Sequence, residues 1–215
     1  MPFVAIPKSL PTDAEPARDS LGGYAFLPEG TSWPVCEESG KAMVLFFQFD
    51  VRPEFGVSVA PGSHLVAFMS PDVNEIDTFD PVPNGEALPD RFWEKRLKHF
   101  KVFLYGPEEV LVPSAQPDTH LVHQRLEFVQ DDDPDDPFLF VGGEPRWYQA
   151  PELHPGFEFL CQLSEDYPFP KQEQAPEQPD GFSADDYGLF LGNSTYFFAR
   201  SRPSDPEEVW LVLQN

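Results

Sequence analysis

The sequence predicts an α+β fold: mostly antiparallel strands with an internal duplication and one clear helix at about residues 90–101. Three observations carry that expectation. The chain holds 26 Pro and 14 Gly, and Pro removes a backbone donor and breaks helix interiors, so prolines this frequent confine the chain to short elements. Between them lie apolar runs of strand length, rich in Val, Phe and Tyr and flanked by Gly, Pro and Asp. One stretch combines a helix cap with a single apolar stripe.

In chain order, Asp13–Leu21 reads as a short helix, followed by strands at Met43–Val51 and His64–Met69. The main helix comes next. Asp90 caps it, and Trp93, Leu97, Phe100 and Leu104 recur at i, i+4, i+7 and i+11 on one face. Its other face carries Arg91, Lys95, Arg96, Lys98 and Lys101, a basic stripe that pairs most simply with the chain's own acidic surface. Further strands follow at Val102–Tyr105, Leu121–Val129, Phe138–Val141, Phe157–Leu163, Thr195–Ala199 and Val209–Leu213. Several are apolar at every position, as strands covered on both faces are.

The duplication is read from a recurring order of turn and strand residues. Gly22-Gly23 precedes an apolar run ending in Gln48, and Pro61-Gly62 then leads into His64–Met69. In the second half, Gly142-Gly143 precedes a run ending in Gln162, and Gly192 leads into Thr195–Phe198. A turn–strand–Gln–loop–strand unit used twice implies one shared core. Each Gln, near the end of a buried strand, is expected to satisfy backbone groups of an adjoining loop. The glycine pairs are expected to supply positive φ at turns.

Composition bounds the function. Apolar residues make up 40% and the 21 Phe dominate the aromatics, so the chain has material for a core despite its charge. With 14 Lys+Arg against 37 Asp+Glu the net charge is −23, which argues against binding to nucleic-acid phosphates or anionic membranes, even at the basic stripe. No apolar run reaches the ~18 residues of a membrane span, MPFVAIPKSLP lacks signal-peptide character, and two Cys make no disulfide framework. These point to a cytoplasmic protein.

At Leu21–Val51 the string LGGYAFLPEGTSWPVCEESGKAMVLFFQFDV resembles the signature of the YwqG-like family, a bacterial domain of unknown function. The matching residues are Gly22-Gly23, Leu27-Pro28, Trp33-Pro34, Cys36 and the strand carrying Gln48, and in the second half Gly142-Gly143, Gln149, Gln162 and Gly192–Phe198. Ser39 stands where some relatives carry a second Cys of a Cys-x-x-Cys knuckle. The resemblance implies an α+β duplicated fold, one domain over 1–215 built of related halves at about 20–107 and 138–215. It also implies kinship with immunity proteins found beside bacterial polymorphic toxins. It implies no catalytic mechanism.

Candidate catalytic and metal chemistry is thin. There is no Gly-x-Ser-x-Gly elbow and neither glycine pair continues into a phosphate-binding loop. No His adjoins either Cys in sequence, although folding could bring His154 or His64 to Cys36. Cys161 lies in an apolar strand, the setting of an inert buried thiol. His120 and His123 fall on opposite faces of a strand and do not chelate together. The Asp131–Asp136 run lacks the Gly and closing Glu of a calcium loop. No cofactor and no metal are expected, and no catalysis.

The acidic surplus is the remaining signal. From Glu108 onward there are 22 acids against 5 Lys/Arg, and before it 15 against 9. Asp131, Asp132, Asp133, Asp135, Asp136, Glu165, Asp166, Asp180, Asp185 and Asp186 are the expected contacts for a basic protein partner, since such a field steers and holds an oppositely charged protein. The expected function is therefore a non-catalytic immunity protein that binds and occludes a basic toxin domain, a nuclease being the leading kind. The alternative is a small-molecule binding module or enzyme with a cleft between the repeats.

Overall fold

In a computed structural model, residues 1–11, 14–71, 99–132, 137–165, 167–178, 184–189 and 194–214 are described. The fold is nearly all β, with 42% of it in strands and a large, nearly closed, barrel-like antiparallel sheet. Among the described residues the strands are β1 (Phe3–Ser9), β2 (Ser20–Leu21), β3 (Phe26–Pro28), β4 (Val44–Asp50), β5 (His64–Met69), β6 (Phe100–Tyr105), β7 (Leu111–Pro113), β8 (Gln124–Gln130), β9 (Leu139–Val141), β10 (Glu158–Leu163), β11 (Pro168–Pro170), β12 (Asp186–Gly188), β13 (Ser194–Ala199) and β14 (Val209–Gln214).

This corrects the α+β expectation. The helix expected at 90–101 falls mostly outside the described residues, but its last members do not: Phe100 and Leu104 lie in β6, whose residues pair one for one with β5. Phe100, Val102 and Leu104 share one strand face, so the 3.6-residue stripe through Phe100 and Leu104 does not continue here. The i, i+4 coincidence of Phe100 and Leu104 also satisfies a period of two, and tertiary pairing decided between them. The short helix expected at Asp13–Leu21 is likewise absent from its described part, where 14–19 is irregular and Ser20–Leu21 forms β2. Among the described residues, no helix is long and apolar enough to cross a membrane.

The ten-stranded sheet runs β14-β13-β10-β9-β1-β8-β2-β4-β5-β6. Outward from the central β1/β8 pair, one quartet is β2-β4-β5-β6 and the other β9-β10-β13-β14, and every pairing is antiparallel. The sheet curls until its edges approach: the Leu104 amide of β6 donates to the Pro206 carbonyl before β14 at 2.8 Å, and Lys101 Nζ reaches Glu207 at 3.3 Å. Curling hides the unpaired strand edges that would otherwise template aggregation.

A bulge in each quartet sets which side chains point inward. Register shifts between Leu45 and Phe47 in β4 and between Phe159 and Cys161 in β10. Each bulge turns two consecutive residues, Phe46-Phe47 and Leu160-Cys161, toward the inner core, and puts Gln48 and Gln162 on the outer face. The inner core spans both quartets, with the Phe47 and Phe197 rings edge-to-face at 5.6 Å and Phe49, Phe55 and Phe128 clustered beside them. Two further clusters cover the outer faces. Trp33 packs on Phe68 in the first quartet and Trp147 on Phe198 in the second. Strands buried on both sides explain the continuous apolar runs.

Candidate functional site

Gln48 is fully buried. Its side-chain carbonyl accepts the Phe26 amide at 2.9 Å, while its amide nitrogen donates to the Tyr24 carbonyl at 2.6 Å and to Ser20 Oγ at 3.0 Å. Gln162 accepts the Arg146 amide at 2.8 Å and donates to the Arg146 carbonyl at 3.1 Å. Phe26 and Arg146 each stand four residues after the first Gly of a pair, and Gly22 and Gly142 donate to the Phe46 and Leu160 carbonyls at the two bulges. These glutamines satisfy loop backbone in a buried setting, which is structural work.

Beside Gln48 lies an ionic group. Arg18 forks onto Asp50, with Nε and Nη2 each 2.7 Å from a carboxylate oxygen, and His64 Nδ1 lies 2.8 Å from Asp50 Oδ1. Asp19 pairs with Arg52 and accepts the Asp50 amide at 2.8 Å. Burial pushes the Asp50 carboxyl up, but the hydrogen bonds and charges of His64 and Arg18 outweigh it and hold the group at about 2. Burial pushes His64 below the usual imidazole range, against the pull of Asp50. The group ties the loop before β2 to the end of β4, and His64 Nε2 lies 3.2 Å from Gln48 Oε1.

Three segments converge on Cys36. Val35 bridges Ala42, Cys36 N–H donates to the Lys41 carbonyl and Gly40 N–H to the Cys36 carbonyl, making a tight surface turn. Ser70 and His99 follow and precede the paired ends of β5 and β6, where the Ser70 amide donates to the His99 carbonyl at 2.6 Å. The odd-numbered face of β6 points outward, so His99 and Lys101 lie beneath the turn: Cys36 Sγ is 4.0 Å from His99 Nδ1, Glu38 is 3.6 Å from His99 Nε2, and Glu37 is 3.6 Å from Lys101. Burial raises the thiol, and the polar groups of Ser39, the Ser70 hydroxyl and the Glu38 backbone pull the other way, so that the net direction is below its ordinary value. Cys161, wholly inside the core, is pushed well above it by burial. Cys36 and Glu38 approach opposite edges of the imidazole and so do not converge on one ion. No group of three His, Cys, Asp or Glu among the described residues is placed to hold a metal.

Sequence left His154 or His64 as partners for Cys36, and the partner is His99. His154 instead lies against Trp210 and Phe157. Nothing in the sequence pattern singles out His99, which joins Cys36 across 63 positions only through the β5/β6 register; reading 99, 101, 103 and 105 as one strand face would have been the available signal.

The expected partner contacts fall in separate places. Asp131 and Asp132, both exposed, follow the end of β8, where the Asp131 amide donates to the Pro2 carbonyl. Asp185 and Asp186 lie at β12, paired with β11, and this ribbon joins the body at the start of β8 through the Leu121–Lys171 bridge. At ~3.4 Å per residue, β8 separates the two groups by about 20 Å. Glu165, half-buried after β10, is among the charges that, with burial as the larger cause, push Tyr196 up to about 12. Asp133, Asp135, Asp136, Asp166 and Asp180 lie outside the described residues. A further acidic group, not anticipated, sits at the barrel seam, where burial and then Glu207 and Glu109 push the Tyr105 phenol upward.

One recess, of about 450 Å³, opens between Leu10, Tyr24, Asp118, His123 and Gln172. His123 lies flat against Gly23, burial lowers its pKa, and its Nε2 is buried without a hydrogen-bond partner among the described residues. No family model matches the chain, and no curated protein matches it either.

Proposed function

We propose that this protein is a non-catalytic acidic binding protein, of the immunity type, that docks on and occludes a basic toxin domain, a nuclease being the leading kind. One observation carries the reading: folding consumes cations and leaves the negative surplus outside. Arg18, Arg52, Lys8, Lys101 and Arg200 all pair with carboxylates of the same chain. A surplus of 23 negative charges therefore has too few cations to balance it, and its described members include exposed Asp131 and Asp132 after β8 and exposed Asp185 before β12. A nuclease holds a polyanion in a cationic cleft, so a carboxylate-rich surface competes for that cleft on charge alone. The resemblance to YwqG-like domains agrees with this reading.

The test is isolation of the tagged protein from its native host, identification of any stoichiometric partner, and reconstitution with that purified partner. The expected result is a basic partner whose activity is blocked and whose affinity falls steeply with salt. Two sets of Asp→Asn changes, at 131–136 and at 180–186, are tested apart, because Asp131 and Asp132 lie at the end of β8 far from Asp185 and Asp186. Binding that ignores both sets and ignores salt overturns the proposal.

The second reading, a small-molecule module, is favoured by the His123 recess. A ligand there would protect His123 from chemical modification, and the acidic substitutions would leave its binding unchanged.

A further inference from the structure

The two buried glutamines are matched in position and unequal in partners. A primary amide offers two N–H donors and two acceptor lone pairs. Gln48 engages Phe26, Ala17, Ser20, Tyr24 and, through its carbonyl, His64 Nε2 at 3.2 Å. Gln162 is 4% exposed and bonds only the Arg146 backbone, which leaves one N–H and one lone pair uncommitted among the described residues. Val66 and Tyr196 are the strand partners of the two glutamines, so Ser194 stands where the first quartet has His64. The Ser194 hydroxyl is buried with no hydrogen-bond partner among the described residues. Ser164, two residues beyond Gln162, stands where the first quartet has Asp50.

Where Arg18, Asp50 and His64 crowd the face beside Gln48, a recess of about 500 Å³ opens beside Gln162. Phe140, Trp147, Tyr148 and Ser164 line it together with the glutamine. We propose that this recess binds a small neutral planar heterocycle with a lactam edge, a C=O beside an N–H, a free nucleobase being the type. The open N–H of Gln162 donates to the ligand carbonyl. Ser164 Oγ accepts the ligand N–H, because its own hydroxyl hydrogen is already donated to the Pro137 carbonyl. The three aromatic side chains supply flat apolar surface for the ring. A buried amide with open bonding capacity costs free energy, and a ligand that matches it recovers that cost.

The lining selects against charged ligands. Gln162 and Ser164 are neutral, and a body carrying −23 repels a phosphate or a carboxylate. Aromatic rings around a recess also suit a quaternary ammonium. Here, however, the Arg146 guanidinium already lies over the Phe140 ring at 5.6 Å, and such a cation offers no acceptor to the Gln162 N–H. A lactam offers both the acceptor and the donor. The site is distinct from the recess at His123, with which it shares no lining residue.

The test is calorimetric titration of the full-length protein with uracil, with its doubly N-methylated analogue, which keeps both carbonyls but has no N–H, and with choline. The expected result is saturable uracil binding with a Kd of about 1 mM or tighter, weakened about tenfold in the methylated analogue. Tyr148→Ala should weaken uracil about fivefold through lost stacking. That variant should fold, because Tyr148 is exposed and its backbone amide still donates to Tyr196 Oη. Photocrosslinking with bromouracil and peptide mass spectrometry locates the ligand, and the expected adduct is on Trp147 or Tyr148. No saturable binding, equal binding of the methylated analogue, choline bound in preference to uracil, or an adduct confined to residues 117–123 overturns the proposal. Uracil carries no net charge, so its binding should be unchanged by salt, whereas partner binding is scored by its salt dependence; the two readings therefore fail separately.

Discussion

The side-chain carbonyl of Gln48 accepts the backbone amide of Phe26 at 2.9 Å, and the same bond recurs in the other quartet between Gln162 and Arg146 at 2.8 Å. Both acceptors lie two residues beyond a bulge, and both donors four residues beyond the first glycine of a pair. The bulge and the glutamine act together. Without the extra residue the amide would face the inner core, where no loop backbone waits for it.

Gln48→Ala should therefore cost about 2–4 kcal/mol and Gln162→Ala about 1–3 kcal/mol, because each strands buried backbone groups. Gln48 is the costlier because it also serves Tyr24 and Ser20. Urea unfolding of the two variants checks the order; equal and negligible losses would show that water replaces the side chains freely.

Gly142 adopts φ +75°, and a Cβ there would stand 2.3 Å from the Phe55 carbonyl oxygen. Gly142→Ala should lose about 3 kcal/mol or more, through backbone strain and the clash together. Gly40 has φ +69° but open space around it, so Gly40→Ala should lose only about 1 kcal/mol from strain. Thermal or urea unfolding of the pair separates the two causes.

Phe47 and Phe197 belong to different quartets and meet edge-to-face. Truncating either to Ala should cost about 3–5 kcal/mol. The double variant should cost less than the sum, by about 0.5–1.5 kcal/mol. Strict additivity in a double-mutant cycle would mean that the quartets do not share one core.

Acid should weaken the fold through Asp50 and His64 in the same direction. Asp50 sits at about 2 against an ordinary 3.8, so its contribution is present above about pH 4 and is lost as pH falls toward 2. His64 is lowered by burial, so the unfolded chain takes up a proton first and stability begins to fall as pH drops below the ordinary imidazole value of 6.5. Asp50→Asn should remove about 1–2 kcal/mol at neutral pH and shrink the loss on acidification below pH 4. Unfolding measured from pH 7 to pH 3 in both forms checks this, and an unchanged acid slope in the variant would refute it.

Much of the strand framework was legible because strands buried on both faces write themselves as unbroken apolar runs. Met43–Val51, His64–Met69 and Thr195–Ala199 stand within a residue or two of β4, β5 and β13. The recurring Gly-Gly and Gln were legible too, since positive φ and a buried loop amide each demand a particular residue type. Phe100 and Leu104 were not, because a spacing of four suits a helix face and a strand face equally, and only pairing with β5 chose between them. The Cys36 neighbourhood was hidden for a related reason. Cys36, Ser70 and His99 are far apart in the chain, and no local pattern records which strand ends will meet.

By itself, then, the order of residues determined that this chain builds buried strands, turns on glycine at two matched places, and carries more negative charge than it can pair. Those are local matters of side-chain volume, backbone φ and ionisation. Tertiary structure alone decided that the sheet curls on itself, that Asp131 and Asp132 stand far along β8 from Asp185 and Asp186, and that His99 comes to lie against Cys36. Each of these depends on long-range register, and register is set by the packing of one shared core.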